Sequence, residues 1–463
     1  MKRHQLETAP IGKLLLKYSI PAIIGMLVNA LYNVVDRIFI GNIPNVGSLA
    51  ITGVGVTMPI STIILAFSML IGTGATAQIS IKLGQGKKEE ASNVIGNAIT
   101  LGIILAMIVT IVGLTFGDSI LLKFGAGEGT LPYAKAYINI ILIGTIFNIL
   151  GFIMSNTIRG DGNPKLSALI MVIGCVTNII LDWLFIFVFN IGIQGAAIAT
   201  VISQMFTTIV GLGYYITGRS NIKFKKDNLK VNKKIVIAIL SIGVAPFSMQ
   251  IAASLVQVIS NNALKTYGSD LAIGAMTTIS SVSLMCLMPI FGLNQGTQPI
   301  IGYNYGANKK KRCKEAYLLS LKVATTILIL AFIVIQVFPT VIIGFFNKDP
   351  ELMNISIKGI RIYLLTLPIV GVSITGSNFM QSIGKAKESM LISLLRQVIL
   401  LIPLILILPR FLGLDGIWIA QPVSDIVSTL VTTFILVKQF KKVSKEESKE
   451  ESKEEAILVK EAN

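Results

Sequence analysis

The chain has 463 residues, of which 53% are hydrophobic and 14% charged, and its mean hydropathy is +0.76. These values exclude a soluble globular protein and indicate a membrane protein. The formal net charge of +17 does not indicate a nucleic-acid partner, because the basic residues fall in short loops between apolar segments. A G-x-x-x-x-G-K-[ST] loop is missing from the sequence, so transport by this chain alone is not driven by ATP. We see no catalytic constellation and expect no enzyme activity.

Apolar segments recur along the whole chain, each long enough to cross a hydrocarbon core of about 30 Å. They show no alternation of period two, so the sequence predicts membrane-spanning helices and an all-α polytopic membrane protein. The predicted spans are twelve, at 17–41, 49–80, 91–116, 131–156, 165–189, 193–217, 235–262, 270–301, 315–346, 356–380, 388–409 and 414–438.

The distribution of lysine and arginine predicts the orientation of the spans. The loops after spans two, six and eight are basic, whereas the alternate loops carry at most one basic residue each. By the positive-inside rule, the basic loops and both termini are expected in the cytoplasm. The basic residues are Lys82, Lys87, Lys88, Arg219, Lys223, Lys225, Lys226, Lys230, Lys233, Lys234, Lys309, Lys310, Lys311, Arg312 and Lys314.

Sequence motifs of the first half return in the second half at a nearly constant offset. GTGATAQ at 72–78 returns as GLNQGTQ at 292–298, and IGIQGAAIA from Ile191 matches LGLDGIWIA from Leu412. An even number of spans per repeat predicts two pseudo-symmetric six-helix bundles in parallel orientation, typical of secondary transporters. The predicted parts are a bundle at 1–218, a basic cytoplasmic linker at 219–234, a bundle at 235–438 and a charged cytoplasmic tail at 439–463.

Two carboxylates are predicted to lie within spans. Asp36 follows Lys17 by about 29 Å of helix, and Asp182 follows Lys165 by about 26 Å, so both reach a similar depth. Ionisable groups inside a membrane are functional candidates because their burial is costly. The remaining acids of the apolar regions are expected in loops or within a turn or two of span ends, namely Asp118, Glu128, Asp270, Asp349, Glu351, Asp415 and Asp425.

Two polar residues are expected beside these acids. Asn178 precedes Asp182 by four residues and shares its helical face, and Thr200 lies at the same depth in span six. Their oxygens suit a hard cation such as Na⁺. Alternatively, two close carboxyl groups form a proton acceptor. We therefore expect Na⁺ or H⁺ as coupling ion and no cofactor.

Neutralisation of the acids by Arg37, or by hydrogen bonds between helices, is the structural alternative to a coupling site. The second half offers no equivalent acids, since the repeat maps Asp36 to Asn261 and Asp182 to Leu404.

Pro21 and Pro246 occupy matching places in spans one and seven. Each is expected to act either as a hinge that kinks its helix or as an ordinary first-turn residue. Polar residues near Asp36 and adaptable methionines are the candidates for a substrate cavity, although a methionine within a span more often serves core packing. The candidates are Asn29, Tyr32, Asn33, Met154, Met249 and Met276.

Three stretches carry a family resemblance: IPAIIGMLVNALYNVVDRIFIG in span one, TNIILDWLFIF in span five and IGIQGAAIATVISQ in span six. They resemble the multidrug and toxic compound extrusion (MATE) family, most closely its bacterial MepA-like branch. The resemblance implies a twelve-helix, V-shaped exporter of cationic or amphipathic compounds in a bacterial plasma membrane, driven by inward flow of Na⁺ or H⁺. It also places Asp36, Asn178, Asp182 and Thr200 at the family's coupling-cation site.

We expect small organic cations and the lipid bilayer as partners, no obligatory protein partner, and a monomer. The alternative function is a flippase for a lipid-linked cell-envelope precursor. Such a cavity should be basic to hold a pyrophosphate, yet the interiors of the spans have no arginines apart from Arg361 and Arg396, and this favours the exporter.

Overall fold

The computed structural model describes residues 2–44, 46–124, 126–268, 270–346 and 349–461, and these residues contain helices but no strands. The helices of the first half are α1 (Lys2–Thr8), α2 (Ile11–Gly41), α3 (Gly47–Gly84), α4 (Lys88–Lys123), α5 (Leu131–Ile143), α6 (Thr145–Gly160), α7 (Pro164–Trp183) and α8 (Ile193–Ile216). Those of the second half are α9 (Lys233–Tyr267), α10 (Asp270–Gly306), α11 (Lys310–Val337), α12 (Pro339–Gly344), α13 (Pro350–Tyr363), α14 (Leu367–Ser382), α15 (Ala386–Leu394), α16 (Ile402–Ile407), α17 (Pro409–Leu412) and α18 (Leu414–Glu461).

The helices confirm the prediction of twelve spans. In the described part of the chain, ten are long and apolar enough to cross a membrane, counting α7 and α15 with their continuations. The pairs α5–α6 and α13–α14 supply the remaining two spans, bent by 53° and 55°. The bends lie at Gly144 and Thr366, and their spacing of 222 residues matches the sequence repeat. The duplication therefore includes a broken helix in each half.

Each half also contains a π-helical segment. One follows α7 at Leu184–Val188, and the other joins α15 to α16 at Leu395–Leu401. Such segments are rare in proteins, and those that occur are often found at functional sites. Both lie beside buried charged side chains, described below.

The two halves form two lobes that meet mainly through α3 against α9 and α2 against α10. At Gly74 and Gly243 the backbones approach so closely that a β-carbon would collide with the carbonyl oxygens of Ile239 and Leu70. Gly306 meets Ile81 in the same way. These contacts lie toward the end of the molecule that carries the basic loops, which we call the basic end. The lobes are therefore joined at the basic end.

The linker between the lobes is anchored to the first lobe. Asp161, in the turn after α6, accepts hydrogen bonds at Oδ2 from the Tyr214 hydroxyl (2.6 Å), the Ser220 hydroxyl (2.9 Å) and the Asn221 backbone N–H (3.0 Å). Burial raises the pKa of the Asp161 carboxyl, and the three donors oppose this rise. The three donors therefore stabilise the buried carboxylate that anchors the linker.

A second anchor holds the end of the linker. Asn228, in a short 3₁₀ turn, donates to Asn93 Oδ1 (2.6 Å) and accepts from the Ser92 hydroxyl (2.8 Å) on α4. Asn97 accepts from the Asn232 backbone N–H (2.7 Å). Although the linker is basic and exposed, it is fixed to the first lobe on both sides of the 3₁₀ turn.

The predicted tail at 439–463 continues span twelve. Its backbone is helical as far as Glu461, and residues 462–463 lie outside the described part of the chain.

Candidate ion-coupling site

The two predicted intramembrane acids meet because α2 packs against α7. Asp36 is 7% exposed and Asp182 is fully buried, next to the π-helical segment. The two carboxyl groups lie within hydrogen-bonding reach of each other. Two ionised carboxylates at such a distance repel strongly, so the pair is stable only with a shared proton or a bound cation.

Asn178 joins this pair to α8. With the amide oriented so that both ends are satisfied, Nδ2 donates to Asp182 Oδ2 and Oδ1 accepts from the Thr200 backbone N–H, each at 3.1 Å. Asn178 and Thr200 are 1% and 5% exposed. The structure therefore brings together all four residues that the sequence placed at one site.

Two tyrosines complete the surroundings of Thr200. Tyr32 on α2 and Tyr137 on α5 both lie near the Thr200 side chain. Tyr32 is one of the predicted cavity residues, whereas Tyr137 is not predicted from the sequence. A polar aromatic residue inside an apolar segment was the available signal for Tyr137.

One carboxyl oxygen of Asp36 has no hydrogen-bond partner among the described residues. This oxygen, Oδ1, is buried. Arg37 points elsewhere: it is exposed, and its Nη2 lies 3.4 Å from the Met58 sulfur on α3. In the described part of the chain, no ion pair includes Asp36 or Asp182. Arg37 therefore forms no ion pair with either acid.

The oxygen atoms of the site determine which ions it can bind. It offers carboxyl, amide and hydroxyl oxygens, the donors that hard cations such as Na⁺ prefer, and a carboxyl pair that can share a proton. Clusters of three or more His, Cys, Asp or Glu residues that could hold a metal do not occur among the residues that the structure describes.

Both prolines lie inside their helices. Pro21 is well within α2 and Pro246 well within α9, so the first-turn alternative is wrong. Each removes one backbone hydrogen bond from a helix at the lobe interface. This leaves the hinge prediction for both residues in place.

The predicted cavity residues separate into two groups. Asn33 is exposed, and its amide donates to the Asn29 carbonyl oxygen (2.7 Å), while Tyr32 and Met249 are half-buried. The remaining two lie in the hydrophobic cores of the lobes, with Met154 fully buried and Met276 6% exposed. The cavity assignment of Met154 and Met276 is therefore wrong, and their side chains fill the cores, as the packing alternative predicts.

The second lobe contains a buried acid, Asp425, which was expected near a span end. Asp425 is 4% exposed and lies three turns inside α18. Its Oδ1 accepts from Arg396 Nε (2.7 Å) and Gln421 Nε2 (3.0 Å), and its Oδ2 accepts from the Thr366 hydroxyl (2.9 Å). Arg396 belongs to the π-helical segment and Thr366 to the helix break. The buried carboxylate of the second lobe is therefore paired with a guanidinium from the same lobe.

Comparison with known proteins identifies the family. A model of the MatE family matches residues 21–184 and 247–407, more than half of the chain, with one match in each lobe. The chain belongs to the MATE family. Among its MATE relatives, the multidrug export protein MepA of Staphylococcus aureus (strain MSSA476) is 28% identical over 422 residues, which are 90% of this chain and 92% of that protein. MepA of Staphylococcus haemolyticus (strain JCSC1435) is 27% identical over 420 residues, with the same coverage.

Solved MATE structures share the fold. An outward-facing multidrug resistance MATE family transporter of the MOP superfamily matches with a TM-score of 0.89 at 24% identity, over 95% of this chain and 98% of that one. A MATE structure in the bent conformation matches with a TM-score of 0.91 at 25% identity, over 97% and 99%. The expected MATE architecture of twelve helices in two lobes is thereby confirmed, and the protein is a multi-pass membrane transporter.

Proposed function

We propose that this MATE protein is a secondary antiporter that exports cationic or amphipathic organic compounds in exchange for Na⁺ or H⁺. The observation that carries the proposal is the buried Asp36–Asp182 pair, with an unpartnered oxygen on Asp36. The names of the MepA relatives support the export of drugs.

In this mechanism the carboxyl pair takes up the coupling ion. With neither proton nor cation the two carboxylates repel, and a binding ion pulls α2 and α7 together. Pro21 lies on α2 between the basic end and Asp36, so a bend there transmits this movement to the lobe interface. Exchange follows if organic cation and coupling ion occupy the first lobe alternately.

The close packing of the two lobes at the basic end fits the outward-open state of such a transport cycle. Under the positive-inside rule the basic end faces the cytoplasm, with both termini, in a bacterial plasma membrane. The lobes then rock about their interface to open the cytoplasmic side. The protein works as a monomer with the bilayer and small organic cations as partners, and without nucleic acid, protein partner or cofactor.

The arginines of the second half argue against the flippase. Arg396 is paired with Asp425, and Arg361 donates to the Gln336 carbonyl oxygen (3.3 Å). Both guanidinium groups are therefore engaged with protein groups and do not form a free basic pocket for a pyrophosphate.

The test is ethidium export from proteoliposomes in which Na⁺ and H⁺ gradients are imposed separately. We expect one inward ion gradient to drive ethidium out against its own gradient, and the other to have little effect. Ethidium movement that ignores both gradients would contradict an antiporter.

A further inference from the structure

A buried guanidinium crosses the lobe interface at the basic end. Arg159, on α6 of the first lobe, is 3% exposed. Its Nη1 donates to Gln295 Oε1 on α10 of the second lobe (2.6 Å), and its Nη2 donates to the Ser167 hydroxyl (3.3 Å). Within the described ranges no ion pair includes Arg159. A full positive charge is therefore buried against a neutral amide.

Gln295 is held by a second helix of the first lobe as well. Its Nε2 lies 3.3 Å from the Met26 sulfur on α2. One side chain of the second lobe thus lies between α6 and α2. Because α2 also carries Pro21 and Asp36, this contact joins the interface to the helix of the coupling site.

The sequence repeat provides an internal comparison. The repeat offset of 222 places Gln381 of α14 at the position of Arg159, and Gln381 Nε2 donates across the interface to the Thr73 hydroxyl on α3 (3.3 Å). At this repeated position each lobe therefore extends a polar side chain into the other. Of these two equivalent side chains, only that of the first lobe is charged.

We propose that Arg159 and Gln295 form a latch that holds the basic end closed and is weak enough to release in every transport cycle. A hydrogen bond from a charged donor is stronger than one between neutral groups, so the pair favours the joined lobes. A carboxylate in place of the amide would create a buried ion pair, which is costly to separate. The neutral partner thus sets the strength of the latch. This inference rests on the proposed alternation of the two lobes.

The test measures the distance between spin labels at Lys165 and Lys387, after replacement of Cys175, Cys286 and Cys313. The two lysines are exposed, one in each lobe, at equivalent places in the repeat. In nanodiscs we expect two distances for the otherwise wild-type protein, for joined and separated lobes. Gln295→Glu should reduce the separated population at least about tenfold and abolish ethidium export, because the new carboxylate pairs with Arg159.

A double variant and a matched control test the sign of the effect. Arg159→Gln with Gln295→Glu buries a carboxylate without its cation, and should shift the population toward separated lobes. Gln381→Glu, at the equivalent crossing without a cation, should also fail to lock the joined state. If the parent protein shows two distances and Gln295→Glu does not shift their populations, the latch is overturned but the alternation of the lobes is not. A single distance in the parent under all ion and ethidium conditions would overturn both the latch and the proposed alternation.

Discussion

Gly243 of the second lobe lies so close to the carbonyl oxygen of Leu70 in the first that no β-carbon fits between them. Gly74 has the reciprocal relationship with Ile239. These contacts bring the backbones of α9 and α3 together at the basic end. Any larger residue at either glycine holds the lobes apart.

We therefore expect Gly243→Ala to disfavour the joined lobes, because backbone atoms and not a flexible side chain occupy the space. Such overpacking costs about 1–3 kcal/mol. The melting temperature in detergent should fall, and the distance between labels at the basic end should increase. Gly213→Ala on α8, where a β-carbon meets nothing within 4 Å, is the control. Equal effects of the two substitutions would contradict the close approach.

The Arg396–Asp425 pair should stabilise the second lobe only as a pair. Arg396→Met leaves a buried carboxylate without its cation, a loss of about 3–5 kcal/mol. Replacing both residues, as Arg396→Met with Asp425→Leu, should recover most of this stability, because no buried charge remains. Thermal unfolding in detergent compares the two variants. A double variant that is less stable than the single variant would show that the prediction is wrong.

The Asp161 anchor should protect the linker from proteolysis. Asp161→Ala removes the acceptor of three hydrogen bonds, so the linker should detach and be cut by trypsin at least about tenfold faster. Asp227→Ala removes an exposed carboxylate whose partner is the exposed Lys230, and serves as the control. Cleavage at the same rate in Asp161→Ala and wild type would mean that the linker is held by other contacts.

Much of the architecture follows from the sequence because it depends on local patterns. Span number follows from apolar length, and the two lobes follow from the collinear repeat. Asn178 and Asp182 lie together because they are four residues apart on one helix. Thr200 lies beside them because a short turn reverses the chain and brings it to the same depth. These relations require no knowledge of how distant helices pack.

The features that the sequence did not predict depend on contacts between distant helices. Asp425 lies three turns inside the predicted span 414–438, so its expected place near a span end was wrong by position alone. Its pairing with Arg396, 29 residues away on another helix, could not be predicted from the sequence. Tyr137 lies near Thr200 although it belongs to α5. The helix break at Gly144 that positions α5 has no proline to mark it. The cores that enclose Met154 and Met276 likewise form between helices that are distant in sequence.

Asp36 and Asp182 should act as one unit in transport. Asp182→Asn alone should abolish gradient-driven ethidium export, and adding Asp36→Asn should change little further, since coupled groups are not additive. Asn261→Asp, at the position equivalent to Asp36 in the second lobe, should not restore export to either variant. Export rates in proteoliposomes measure all of these. Restored export would show that the second lobe can supply the coupling site.

The most direct measurement is ethidium export by Asp36→Asn in proteoliposomes under the ion gradient that drives the wild type. The substitution keeps the shape of the side chain and removes its ionisable group. We predict a protein that folds and reaches the membrane, binds ethidium as the wild type does, and fails to export it against a gradient. Export at the wild-type rate would contradict the assignment of the coupling ion to the Asp36–Asp182 pair.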